Sequence, residues 1–214
     1  MPRKALDRQI DKIRRDILEM SELVSGAVLK AITALKNNDK KLANEVIIGD
    51  ELIDNYYTHI KKRVIQTIAL HQPVARDLRF ISISLDVAYN LERIGDYARD
   101  IAESLDYMKK GYFVLDEISE MGRISSQMSG DAADVFVNEN RGKIDEILKK
   151  EERVDELYKS VFPILKNIIE KKCEKCPNAL NLILIAKFLE RIADHSVNIA
   201  NRAMYEMSGE EEYL

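Results

Sequence analysis

The chain has 214 residues, 46% of them hydrophobic and 33% charged, with a formal net charge of −4. That is apolar material enough for one large domain or two small ones, and the mildly acidic balance makes the chain a poor candidate for non-specific nucleic-acid binding, which needs a cationic surface. Eight glycines, four prolines and no tryptophan argue against a turn-rich β protein and for long helices.

The first periodic run places Ile10, Ile13, Ile17, Met20, Val24, Ala27, Ala31 and Ala34 on one stripe. Its steps alternate three and four residues, the seam of a left-handed helix bundle. Asn37-Asn38-Asp39 ends this helix and caps the next. The second helix carries Leu42, Val46, Ile53, Tyr57, Ile60, Val64 and Ile68 inward, runs to about His71 and is broken by Pro73. Lys61-Lys62-Arg63 reads as a solvated face of it.

The third helix runs from about Ala75 to Tyr107, with Leu78, Ile81, Leu85, Ala88, Leu91, Ala98, Ile101 and Leu105 inward, and Gly111 marks a boundary. The fourth covers roughly Leu115 to Asn138, and Asn140-Arg141-Gly142 turns the chain into the fifth, which runs to about Lys172. The sixth starts after Pro177, a residue suited to a first helical turn. Its stripe is Ile185, Leu189, Ile192, Ser196, Ile199 and Ala203, and the tail Glu210-Glu211-Glu212-Tyr213-Leu214 is expected to fray. Helices of about 30 residues are ~45 Å long, and short connections make successive ones antiparallel neighbours. The expectation is an elongated all-α bundle.

The chain repeats itself. Residues 91–103 read LERIGDYARDIAE and residues 189–201 read LERIADHSVNIAN, identical at seven of 13 positions. Upstream, Asp50-Glu51-Leu52-Ile53-Asp54 matches Glu151-Glu152-Arg153-Val154-Asp155. The simplest account is a duplicated three-helix unit, 1–110 and 111–214.

Each repeat has an acidic i,i+4 pair on its second helix and another on its third. They are Asp50/Asp54 and Glu92/Asp96, then Glu151/Asp155 and Glu190/Asp194. Residues four apart share a helix face. In an antiparallel hairpin, residues equidistant from the turn lie opposite each other. Positions 54 and 92, like 50 and 96, are centred on Pro73, and both pairs of the second repeat are centred on 172.5, beside the turn at Cys173–Pro177. Four carboxylates should therefore meet at one level in each hairpin. Asp100 extends the first set by a turn, and Asn198 holds the equivalent place in the second.

Clustered carboxylates repel one another unless cations neutralise them. Arg93, Arg99 and Arg191 are close enough in sequence to do so as salt bridges. A metal is the other solution, and oxygen ligands suit hard cations such as Mg²⁺, Mn²⁺, Ca²⁺ or Fe³⁺, with Zn²⁺ open as well. His195 could add a nitrogen, although it points about 100° away from its neighbour Asp194 on the helix.

Other motifs point away from catalysis. Cys173-Glu174-Lys175-Cys176 has zinc-like spacing but no second pair to complete a site, and reads as a polar turn. His59 and His71 read as surface or interhelix residues, and Tyr56, Tyr57 and Tyr89 as packing groups with wet hydroxyls. No nucleotide-binding glycine motif and no nucleophile paired with histidine occurs. The Glu-x-x-His of di-iron bundles is absent too. No apolar run approaches the ~20 residues of a membrane span, and Met1-Pro2-Arg3-Lys4-Ala5 leads into a polar helix rather than a signal-peptide core. The expectation is a soluble cytoplasmic protein without a disulfide framework.

The turn Gln72-Pro73-Val74-Ala75-Arg76-Asp77-Leu78-Arg79 and the segments Leu91–Asp96 and Leu189–Asp194 carry a resemblance to the PhoU family of phosphate-specific transport accessory and regulatory proteins, over essentially the whole chain. The resemblance implies two tandem three-helix bundles and metal clusters at the four acidic pairs, with Fe, Zn, Mg or Mn as the candidate ions. It implies a non-enzymatic, negative regulator of phosphate uptake and phosphate-starvation signalling. Its expected partners are the cytoplasmic side of the phosphate ABC transporter, a sensor histidine kinase and a second copy of itself, with no nucleic acid and with the membrane reached only through partners. The second repeat departs from the pattern, with Cys-Pro-Asn-Ala-Leu-Asn at the turn and Asn198 in place of the acid, so its site is expected to bind metal differently or more weakly. Two alternatives compete with this reading: a carboxylate-bridged metal-dependent hydrolase, and a metal-free structural adaptor.

Overall fold

The structure is a computed structural model and describes residues 2–109, 111–171 and 176–210. Helix α1 spans Pro2–Asn37, α2 Lys40–His71, α3 Ala75–Ser104, α4 Asp116–Asn138, α5 Ile144–Lys171 and α6 Cys176–Ser208. The expected third helix continues to Tyr107 as a single 3-10 turn, Leu105–Tyr107, and another such turn, Arg141–Lys143, leads into α5. No strand occurs among the described residues, and no helix there is long and apolar enough to cross a membrane.

Local chemistry sets the helix ends. Asp39 is extended and its carboxylate accepts from the backbone N–H groups of Lys41 and Leu42, both at 3.0 Å, which satisfies two orphan donors of α2. At the far end Gln72 turns left-handed and its N–H reaches Ile68 O, after which buried Pro73 blocks any continuation. Pro177 lies in the first turn of α6, where a missing N–H costs nothing. Pro163 lies inside α5, on its exposed side. The Cys173–Lys175 turn and the tail beyond Glu210 are outside the described residues.

Helices α1, α2 and α3 pack on one another, as do α4, α5 and α6. The two groups also join along α1–α4 and α3–α6 as extensively as within each group. Four central helices therefore form two layers, α1/α4 above α3/α6, with α2 flanking one side and α5 the other. One continuous cluster of buried apolar residues runs through both groups. Contacts such as Arg14 with Glu139 and Gly122 with Ile32 show α1 and α4 antiparallel, and Asn90 with His195 and Arg79 with Glu206 show the same for α3 and α6. The two repeats are thus related by an approximate twofold.

Because α1 touches three other helices, its buried set is wider than one stripe and adds Val28, Ile32 and Leu35. Leu78, expected inward, is 38% exposed. It sits in the first turn of α3 at the end of the bundle, where Phe80 and Ile81 take the inward positions instead.

Candidate metal-binding carboxylate clusters

The α2–α3 groove brings the first acidic set together. Asp50 lies on α2, 5% exposed, and the Arg99 guanidinium of α3 donates to it. Gly95 makes the close approach possible: a Cβ there would sit 3.1 Å from two carbons of Ile53 and 3.4 Å from Asp50 Oδ1. The second repeat has Ala193 at the matching place.

Burial raises the pKa of Asp50, and the Arg99 charge opposes the rise while Asp54 and Asp96 add to it. Glu92 is likewise pushed up by burial first, then by Asp96, Asp54 and Asp50, with Arg93 opposing. The four carboxylates are therefore near enough to repel one another. Asp100 is raised by burial and is held 3.8 Å from Arg99.

Arginines occupy the space between these oxygens. Arg99 bridges Asp50 and Asp96, the latter at 3.0 Å, and Arg93 donates to Asp96 at 2.6 Å. Glu92 Oε2 is buried with no hydrogen-bond partner among the described residues. This orphaned acceptor beside three other carboxylates is the feature that a hard cation would satisfy.

The α5–α6 groove holds the second set. Burial raises Glu151, helped by Asp155 and Asp194, and burial raises Asp194, helped by Glu190 and Asp155. Lys187 Nζ binds both oxygens of Glu190 at 2.6 Å, Arg191 binds Asp194 at 3.2 Å, and Lys159 binds Asp155 at 3.3 Å. Sequence reading missed Lys187, although its i,i+3 spacing ahead of Glu190 was the available signal. Asn198, one turn beyond Asp194 on α6, is exposed. Among the described residues no group of three or more His, Cys, Asp or Glu side chains is arranged to hold a metal ion.

His195 turns away from the acids. Its Nδ1 is 2.8 Å from Asn90 Oδ1 across the α3–α6 seam, and its ring lies 5.8 Å from Tyr97. Burial, then Arg93 and Arg191, lower its pKa. Since α3 and α6 adjoin and carry α2 and α5 on their outer sides, both acidic grooves open on one face of the molecule.

The comparisons with known proteins agree with this architecture. A family model described as the PhoU domain matches residues 17–105 and again 118–203. The chain belongs to the PhoU family. It is 31% identical to the phosphate-specific transport system accessory protein PhoU homolog of Clostridium acetobutylicum, over 99% of this chain and 98% of that protein. It is 29% identical to the homolog of Streptococcus pneumoniae serotype 4, over 97% of each. The crystal structure of the phosphate transport system regulatory protein PhoU from Streptococcus pneumoniae superposes with a TM-score of 0.87 at 28% identity, covering 98% of this chain and all of that one. The PhoU crystal structure from Pseudomonas aeruginosa gives 0.88 at 27% identity, covering 95% and 99%. The two matched stretches correspond to the two three-helix groups.

Proposed function

We propose that this chain is an accessory regulator of a phosphate-specific transport system, acting without catalysis to restrain phosphate uptake and phosphate-starvation signalling. The observation that supports this is full-length membership in a family whose relatives are named as phosphate-specific transport system accessory proteins, with both domain copies present. The site of action is the cytoplasmic face of the transporter, with a sensor kinase as a second partner and a homo-oligomer as the working form. Both carboxylate grooves lie on one face, so a partner would meet them together. The test is phosphate uptake in phosphate-replete cells lacking the gene. Uptake should stay high and fall when the wild-type chain is restored; uptake equal to that of the parent strain would refute the role.

The regulatory face is proposed to carry metal. Asp50, Asp54, Glu92, Asp96 and Asp100 would hold it in the first repeat, and Glu151, Asp155, Glu190, Asp194 and Asn198 in the second. The donor set fits Mg²⁺, Mn²⁺, Fe or Zn²⁺, and the orphaned Glu92 Oε2 favours the first groove. Bound metal would supply positive charge and open positions for an oxygen ligand such as phosphate. Arg99 competes for the same oxygens. Elemental analysis after dialysis should find metal in the wild type, less in Asp54→Ala/Asp96→Ala, and more in Arg99→Gln.

A second reading has its own support. Arg93, Arg99, Lys159, Lys187 and Arg191 already pair with five of the eight acids, Asp50, Asp96, Asp155, Glu190 and Asp194, as a metal-free adaptor requires. On that reading, all three proteins would be metal-free, and partner binding would fall with salt while ignoring chelator.

A further inference from the structure

The first turns of α1 and α3 meet the last turns of α4 and α6 around a cavity of about 370 Å³. It lies some 16 residues along α3 from Asp96, roughly 24 Å at the helical rise, so it is separate from the carboxylate grooves.

Glu206 of α6 lines this cavity. It is 2% exposed, and its Oε2 has no hydrogen-bond partner among the described residues. Among the described residues its Oε1 has one ion-pair partner, Arg76 Nε at 3.5 Å, beyond a good hydrogen bond. A buried carboxylate so poorly paired is costly unless something compensates it.

The walls do not supply that compensation. Three arginines face five carboxylates across the cavity, an excess of two negative charges. Glu139 takes most of the available cation: Arg76 binds it at 2.5 Å and Arg14 lies 3.7 Å away. Arg14 also lies over the Phe80 ring, 4.9 Å from its centroid, and its buried Nε has no hydrogen-bond partner among the described residues, so it does not reach Glu206 either. Arg79 donates its Nε to the Glu206 backbone carbonyl at 2.7 Å, and even with its charge counted one negative charge remains in excess. Asp11, at the exposed rim, enters no ion pair among the described residues. A free acid at the mouth and a half-satisfied one at the floor thus face one volume.

The geometry points to a binding site for an organic cation, a guanidinium or primary ammonium group that enters past Asp11 and pairs with Glu206 Oε2. The volume matches small-molecule and side-chain pockets rather than a bare ion. Two sources share this chemistry: an arginine or lysine side chain of a partner protein, and a free polyamine.

The test follows the Ile10 δ1 methyl resonance, because Ile10 lines the cavity. Methylguanidinium should shift it saturably in the full chain. Glu206→Gln should weaken that binding by about tenfold or more, which is ~1.4 kcal/mol. Asp11→Asn, at an exposed position that does not bear on folding, should weaken it less. Tighter binding of a capped Gly-Arg-Gly peptide than of spermidine assigns the site to a protein partner; the reverse order assigns it to a polyamine. The absence of a saturable shift, equal affinity in wild type and both variants, or the same shift from MgCl₂ alone would overturn the proposal.

Discussion

At the residue scale, two glycines in neighbouring seams make opposite demands. Gly122 on α4 faces Ile32 on α1 so closely that a Cβ would lie 2.4 Å from Ile32 Cγ1 and 3.2 Å from its Cβ. Those atoms are near the Ile32 backbone and have little room to move. Gly122→Ala should therefore lower stability by about 1–2 kcal/mol, overpacking outweighing the helix propensity gained. Gly26, inside α1 with nothing within 4 Å, should show the reverse, Gly26→Ala adding about 0.5–1 kcal/mol. Urea titration of both variants checks the pair. Glu206 offers a pH test. Burial raises its carboxyl above the ordinary value of 4.5, with Arg76 opposing. A raised acid binds its proton more tightly when folded, so the group's contribution worsens as pH rises through the folded pKa and recovers as pH falls. Glu206→Gln should then have a higher unfolding midpoint than wild type at pH 7, with the difference closing by about pH 4; an unchanged difference across that range would count against the burial argument. The acidic pairs themselves were legible, because equal distance from a turn fixes equal height in a hairpin. So were their partners Arg93, Arg99 and Arg191, which stand beside those acids in the sequence, whereas the role of Glu206 was not, because it depends on α1, α3 and α4 meeting around it.

At the element scale, the helices could be read almost to their ends because each boundary has a local cause. Asp39 caps α2, Pro73 stops it, and Asn38 adopts the left-handed conformation that closes α1. Asp39→Ala removes both side-chain bonds to the first turn of α2 and should cost about 1 kcal/mol, measurable as a lower thermal midpoint. Local rules fail where another helix arrives. Leu78 continues the apolar period of α3 yet stays exposed, since the bundle ends there. Pro163 would normally stop a helix, but α5 runs on through it with the ring on the solvent side, held by Val161 and Leu165 in the core.

At the scale of the whole molecule, the duplication shows in the sequence but the seam between copies does not. An apolar period tells which face of a helix is buried and not which helix buries it. Helices α1, α3, α4 and α6 each have an intra-repeat and an inter-repeat neighbour. Serines mark part of the seam, Ser25 meeting Ser129 at 2.8 Å and Ser126 donating to Ser25 O at 2.8 Å. An aromatic stack marks another part. Phe80 of α3 and Phe136 of α4 lie parallel with centroids 5.0 Å apart, and Phe136 is 1% exposed. Since one core runs through both groups, the repeats should unfold together. Phe136→Ala should cost about 3–5 kcal/mol. It should also shift the unfolding of both halves by the same amount, because the lost ring supports α3 as well as α4. Methyl resonances of Ile60 in the first group and Ile147 in the second, followed through the same denaturant series, would report each half separately. Coincident transitions at a lowered midpoint are expected; a second-repeat transition that moved while Ile60 held its wild-type midpoint would mean that the seam joins two units that fold independently.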